Sequence, residues 1–173
     1  QEVSTPIILT AAILHDIGKT KINMDKVITP AGKTDHAVKE WKRHAKLSVP
    51  LANEILTKMG HSEEFITEVC YLIEHHDHRE DEIKDKSIEL QILQDADLVA
   101  DCGFAGFIRP FMYGSKFSRQ IIGTIKYLKT EVNRVEQDGL LNLEVSKTIA
   151  KRKIEIEKKL IKEISLDINS DLL

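Results

Sequence analysis

Apolar residues recur along this chain at the three- and four-residue spacing of helices. Nowhere do they keep the alternation of a half-buried strand for more than a few positions. Ile7, Ile8, Ala11, Ile13 and Leu14 cover most of a helical circumference, which predicts a buried central helix over about Thr5 to Asp16. Ser4 or Thr5 can cap it, Pro6 suits its first position, and Gly18 stops it. Lys19 to His36 is polar, contains Pro30 and Gly32, and reads as a loop. The stripe Leu47, Leu51, Ile55 and Leu56 predicts a helix over about Val38 to Met59, kinked or restarted near Ser48 because Pro50 lies inside it. Ser62 caps a third helix, running to about His76 with Phe65, Ile66, Val69, Leu72 and Ile73 inward. Ser87 caps a fourth, with Leu90, Leu93, Ala96 or Asp97, and Ala100 on one face. Gly103, Gly106 and Gly114 punctuate a short aromatic segment, and two more helices follow at about Arg119 to Glu136 and Glu144 to Ile164. The last has a candidate apolar face of Val145, Ile149, Ile156, Leu160 and Ile164. The expected class is all-α: one compact bundle of about six to eight helices over residues 1–173, with the helices of 119–173 packing on the core.

Composition adds exclusions. The 173 residues are 42% hydrophobic and 31% charged, enough for a real core. No apolar run approaches the roughly 20 residues of a membrane span, and no signal-peptide pattern opens the chain. Cys70 and Cys102 match neither a disulfide framework nor a zinc-ligand spacing, so reduced thiols in a cytoplasmic protein are expected. The 25 basic and 28 acidic side chains leave a net charge of −3, which does not suit a nucleic-acid partner. Lys151, Arg152, Lys153, Lys158, Lys159 and Lys162 are interspersed with Glu155, Glu157 and Glu163 and read as a solvated face. The last helix is expected to pack on the domain or on a second copy in a homodimer.

The chemistry concentrates at helix ends. His15, His44, His75 and His76 fall there, joined by Asp16 and by Asp97 in Gln94-Asp95-Ala96-Asp97. Imidazole nitrogens with carboxylate oxygens suit Zn, Fe, Mn, Ni or Co, and ligands this far apart must converge from separate helices. His15-Asp16 is the most informative pair. A buried helix has no apparent reason to end in an imidazole and a carboxylate, whose burial without partners is costly, and a metal satisfies both. His36, His61 and His78 are assigned ordinary surface or turn roles.

The string His15-Asp16-Ile17-Gly18-Lys19, followed in order by His44, His75-His76 and Asp97, resembles the HD-domain superfamily of metal-dependent phosphohydrolases. Gln94-Asp95-Ala96-Asp97-Leu98 resembles the late-aspartate motif of bacterial HD hydrolases, with Asp97 as the implied ligand, and Gly103-Phe104-Ala105-Gly106-Phe107-Ile108-Arg109 and Ser146-Lys147-Thr148-Ile149-Ala150-Lys151-Arg152 are similar to a poorly characterised bacterial branch. The resemblance covers about residues 4 to 165. It implies a helical HD-type fold and one or two divalent ions (Mn, Fe, Ni, Co, Zn or Mg). His15, Asp16 and Asp97 hold one ion, and Asp16 can bridge to a second at His44 and His75 or His76. Asp16, Lys19 and Arg109 are the implied catalytic residues, the two cations neutralising phosphate, and the substrate is a small phosphoester, of nucleotide type. The family's first metal histidine lies on a preceding helix, and nothing before Ser4 supplies it; it is expected upstream of Gln1. Asp77-His78-Arg79-Glu80-Asp81 stands where the cyclic-dinucleotide branch carries Gly-Tyr-Pro, which argues against cyclic di-GMP. Two alternatives share the ligands: a degenerate sensor or scaffold, and a di-iron oxygenase.

Overall fold

The computed structural model of the chain describes residues 3–23, 27, 41–78, 83, 85–137 and 139–170. Among them are seven α-helices, a 3-10 turn and no strand: α1 (Thr5–Leu14), the turn (Ile17–Lys21), α2 (His44–Lys58), α3 (Glu63–His75), α4 (Ile88–Ala100), α5 (Gly103–Lys116), α6 (Ile121–Gln137) and α7 (Glu144–Ser170). His36 and Arg79-Glu80-Asp81 lie outside the described residues. No described helix is long and apolar enough to cross a membrane. The described residues divide into two compact units, one up to Gln94 within α4 and one from Asp95 onward.

In the first unit α1 packs on α3, α3 on α2, and the 3-10 turn on α2. Ile7, Ala11, Ala52, Leu56, Ile66, Val69, Leu72, Ile73, Leu90 and Leu93 form its core. Capping sets several helix starts. Ser62 Oγ accepts from Phe65 N at 3.3 Å, and Ser87 Oγ accepts from Leu90 N at 3.2 Å. Ser4 precedes α1 without a side-chain cap; its N–H donates instead to Glu89 Oε1 at 3.3 Å.

Three expectations about faces change here. Helix α1 is not buried all round: only Ile7 and Ala11 are buried, while Leu9 is 58% and Ile13 80% exposed. A helix apolar on every side has no stripe from which to read its inward face. Helix α2 runs unbroken through Pro50, and its buried row is His44, Ser48, Ala52 and Leu56 with Ala45. Leu47, Leu51 and Ile55 flank that row half-buried, because its wall is partly polar. On α4, Leu90, Leu93, Gln94, Asp95 and Leu98 are buried, whereas Ala96 and Ala100 are exposed.

In the second unit α5 and α6 pack on α7 and on each other around Leu98, Cys102, Phe107, Ile125, Leu128, Val132, Leu141, Ala150, Ile154 and Ile161. The aromatic segment punctuated by glycines is a 14-residue helix. Gly106 permits a close approach: a Cβ there would lie 2.6 Å from the Asp101 carbonyl carbon. The inward face of α7 is Ser146, Ala150, Ile154, Glu157 and Ile161; Val145, Ile149 and Ile156 point outward, a correction of the apolar face read from the sequence. Two buried carboxylates hold this unit. Asp95 accepts from Asn142 N, Asn142 Nδ2 and Leu143 N at 2.8–2.9 Å, just ahead of α7. Glu157 accepts from Gly103 N, at the start of α5, at 2.9 Å.

Candidate metal centre

His15 caps the C-terminus of α1, and the chain leaves the helix at Asp16, whose φ of −103° and ψ of 2° open the 3-10 turn. Adjacent helical residues diverge by about 100°; leaving the helix frees Asp16 to face the same space as its neighbour. The turn lies flat on α2. A Cβ on Gly18 would overlap the His44 carbonyl oxygen and sit 2.6 Å from Ser48 N and 2.8 Å from Leu47 C. Ser48 fastens the contact. Its hydroxyl accepts from Gly18 N at 2.8 Å, and it donates toward His15 O at 2.6 Å, with His44 O at 3.0 Å. The end of α1 is thereby pinned against the start of α2, where His44 sits.

Asp16 Oδ1 stands 3.3 Å from His44 Nε2 and 4.0 Å from His76 Nε2, and the two Nε2 atoms are 3.0 Å apart. Their second nitrogens are all committed to carbonyls three residues back: His15 Nδ1 to Ala12 O at 2.8 Å, His44 Nδ1 to Trp41 O and His76 Nδ1 to Ile73 O at 2.7 Å. A carbonyl only accepts, so each Nδ1 carries a hydrogen, and in the neutral ring the lone pair is then on Nε2. Two lone pairs 3.0 Å apart, facing a carboxylate oxygen, repel unless a cation lies among them. Asp16 Oδ1 is buried with no hydrogen-bond partner, an expensive condition for an anionic oxygen. Burial also lowers the His76 pKa below its ordinary value, outweighing the Ile73 carbonyl that raises it, and so favours the neutral, ligating form. His44 and His76 are 2% and 1% exposed. The donor set of one carboxylate and two imidazoles fits a divalent transition metal.

His15 borders this group, its Nε2 3.4 Å from Asp16 Oδ2 and its ring centre 4.8 Å from that of His76. Lys19 extends its ammonium to Asp16 Oδ2 and lies over the Trp41 ring, 4.4 Å from the centroid. His75 faces elsewhere: its Nδ1 meets His78 Nδ1 at 3.1 Å and its ring packs on Tyr71. Desolvation lowers its pKa as well. Gln94, fully buried, donates to the carbonyls of His75 and His78 at 2.9 and 2.8 Å and fixes the end of α3 beside His76. Asp97 lies on α4 three residues beyond Gln94, half-buried, in the second unit. Arg109, also in that unit, pairs with Asp101. Ser48, Trp41 and Gln94 are the residues sequence reasoning passed over. Only Ser48 carried a signal, as a polar residue one turn after His44 on the same row.

The HD domain family model matches residues 3–100. The chain belongs to the HD domain family. HD domains form a superfamily of metal-dependent phosphohydrolases. No curated protein matches the chain. Among solved structures, the Lin1889 protein from Listeria innocua aligns with a TM-score of 0.58 at 21% identity, over 95% of this chain and 87% of that one. A protein from Lactobacillus plantarum aligns with a TM-score of 0.51 at 13% identity, over 98% of this chain and 100% of that one. Both likenesses concern the fold.

Proposed function

We propose that this HD domain is a cytoplasmic metal-dependent phosphohydrolase acting on a small phosphomonoester or phosphodiester of nucleotide type. The observation that carries the reading is the partnerless, buried Asp16 Oδ1 facing the lone pairs of His44 and His76. Asp16, His44 and His76, with His15 at their border, are the residues that would hold a divalent ion. Bound there, such an ion would supply Lewis acidity and a bound water of lowered pKa.

The chain's own residues do the rest. The Nδ1 bonds to Ala12, Trp41 and Ile73 keep the imidazoles in the ligating tautomer and orientation. Asp16 supplies the negative charge that offsets the ion. Lys19, beside Asp16 and about a third exposed, is placed to neutralise a phosphoryl oxygen. Asp97 as a further ligand and Arg109 as a second phosphate cation rest on the family resemblance, and Asp97→Asn and Arg109→Met test them separately.

The test is a calorimetric and elemental-analysis screen with Mn, Fe, Co, Ni, Zn and Mg, followed by a nucleotide and phosphoester panel on each loaded form. One strongly bound ion and metal-dependent release of phosphate or a phosphomonoester are expected. A protein that takes up no divalent ion would sink the proposal. Uptake without turnover of any phosphoester would reduce it to a binding domain.

A further inference from the structure

The ammonium of Lys19 has two contacts of different character: the Asp16 carboxylate, and the face of the Trp41 ring at 4.4 Å. Only the first depends on the state of the metal centre. Once the charge of Asp16 is shared with a divalent ion, its attraction for Lys19 falls and the ion repels the ammonium. The Trp41 ring is uncharged, so its quadrupole holds the cation in either state. Trp41 is also tied to the centre by its backbone, because its carbonyl accepts from His44 Nδ1 at 2.7 Å, and its ring lies 5.2 Å from that of His44. Its side chain is half-buried.

The geometry points to Trp41 as a positioning residue: its ring keeps the Lys19 ammonium beside the metal centre when Asp16 is engaged by an ion, so that the cation is available to a phosphate oxygen. This rests on the proposed phosphohydrolase reading and deepens it. Trp41 acts through Lys19, and side-chain substitutions leave the carbonyl that orients His44 in place.

Inorganic phosphate is the probe, titrated calorimetrically into the metal-loaded full chain, with the metal affinity measured in parallel. Trp41→Leu removes the quadrupole while keeping an apolar side chain, and is expected to weaken phosphate binding roughly 3- to 10-fold. Metal affinity should stay within about twofold. Trp41→Phe keeps an aromatic face and should recover most of the loss, which a merely space-filling tryptophan would not require. In a Lys19→Met background, Trp41→Leu should weaken phosphate no further. Equal loss of metal and phosphate affinity in Trp41→Leu, or an undiminished effect in the Lys19→Met background, would overturn the inference and leave the proposed function standing. Phosphate that fails to bind the metal-loaded wild type would overturn the inference alone; the proposed function falls on the absence of ion uptake or of phosphoester turnover.

Discussion

Replacing Gly18 by alanine sets two effects of opposite sign against each other. Alanine restricts the unfolded chain more than glycine, and where the native backbone tolerates it this stabilises by about 0.4–1 kcal/mol. Here the added carbon meets backbone, 2.6 Å from Ser48 N and 2.8 Å from Leu47 C, and those atoms belong to a hydrogen-bonded helix that does not give way. Reaching ordinary contact at about 3.5 Å requires the 3-10 turn to lift by about 1 Å. That lift stretches Gly18 N to Ser48 Oγ, now 2.8 Å, and Ser48 Oγ to His15 O, now 2.6 Å, at about 1 kcal/mol each. Overpacking adds about 1–3 kcal/mol. Sterics win, and a net destabilisation of about 2–4 kcal/mol is expected from urea unfolding. Because the same lift draws Asp16 away from His44 and His76, metal affinity should fall about 10- to 100-fold. Ser48→Ala is the companion variant: it loses the two bonds without the clash and should cost about 1–3 kcal/mol. A Gly18→Ala protein as stable as wild type and with the same metal affinity would refute the account of how the turn is seated.

Further outcomes follow from the same geometry. Asp16→Asn keeps shape and removes the anion, so divalent-ion binding should fall at least tenfold while circular dichroism stays unchanged; lost helicity would indicate a structural metal instead. His76→Ala should abolish tight metal binding, whereas His75→Ala, whose Nδ1 faces His78, should change it less than threefold; equal losses would show that both face the ion. Glu157 is 3% exposed, and burial, partly offset by the Gly103 N–H, raises its pKa to about 6. The folded state therefore binds more protons than the unfolded one between about pH 4.5 and 6, and this group's contribution to stability falls as pH rises through that window, by at most about 2 kcal/mol. The His75 and His76 shifts are downward and slope the other way, so the wild-type minus Glu157→Gln difference isolates the effect; a difference flat across the window would refute it.

Helix starts were readable because capping is local. Ser62 and Ser87 need only their own next three residues to satisfy an orphan N–H, and the structure places both bonds. Faces were readable where the apolar stripe is narrow, as in α3, and misread where burial is decided by partners far away in sequence. Helix α7 buries Glu157 because Gly103, 54 residues earlier, offers it an N–H, and so Val145, Ile149 and Ile156 face outward. Three glycines punctuate the aromatic segment, yet it is a helix, and Gly106 is there for the close approach of Asp101, which no periodicity reveals. At the candidate centre, His15, Asp16, His44 and His76 stood out as ionisable groups at the ends of apolar stripes. Their supports did not: a serine, a glutamine and a tryptophan are ordinary helix residues until the fold shows what they touch.

The placement of these groups explains why so much local order surrounds one carboxylate. An anionic oxygen without a partner, beside two lone pairs, drives the surrounding structure apart. The contacts around it oppose this from three directions: Ser48 locks α1 to α2, the carbonyls of Trp41 and Ile73 stop the imidazoles from rotating an N–H toward Asp16, and Gln94 holds the end of α3. Each contact fixes the repulsive arrangement, where a neutral core would let His44 flip and donate to Asp16 at the loss of one backbone bond. A fold that spends buried hydrogen bonds on preventing that relief keeps its donors preorganised for a cation, and the cation in turn makes the assembly stable.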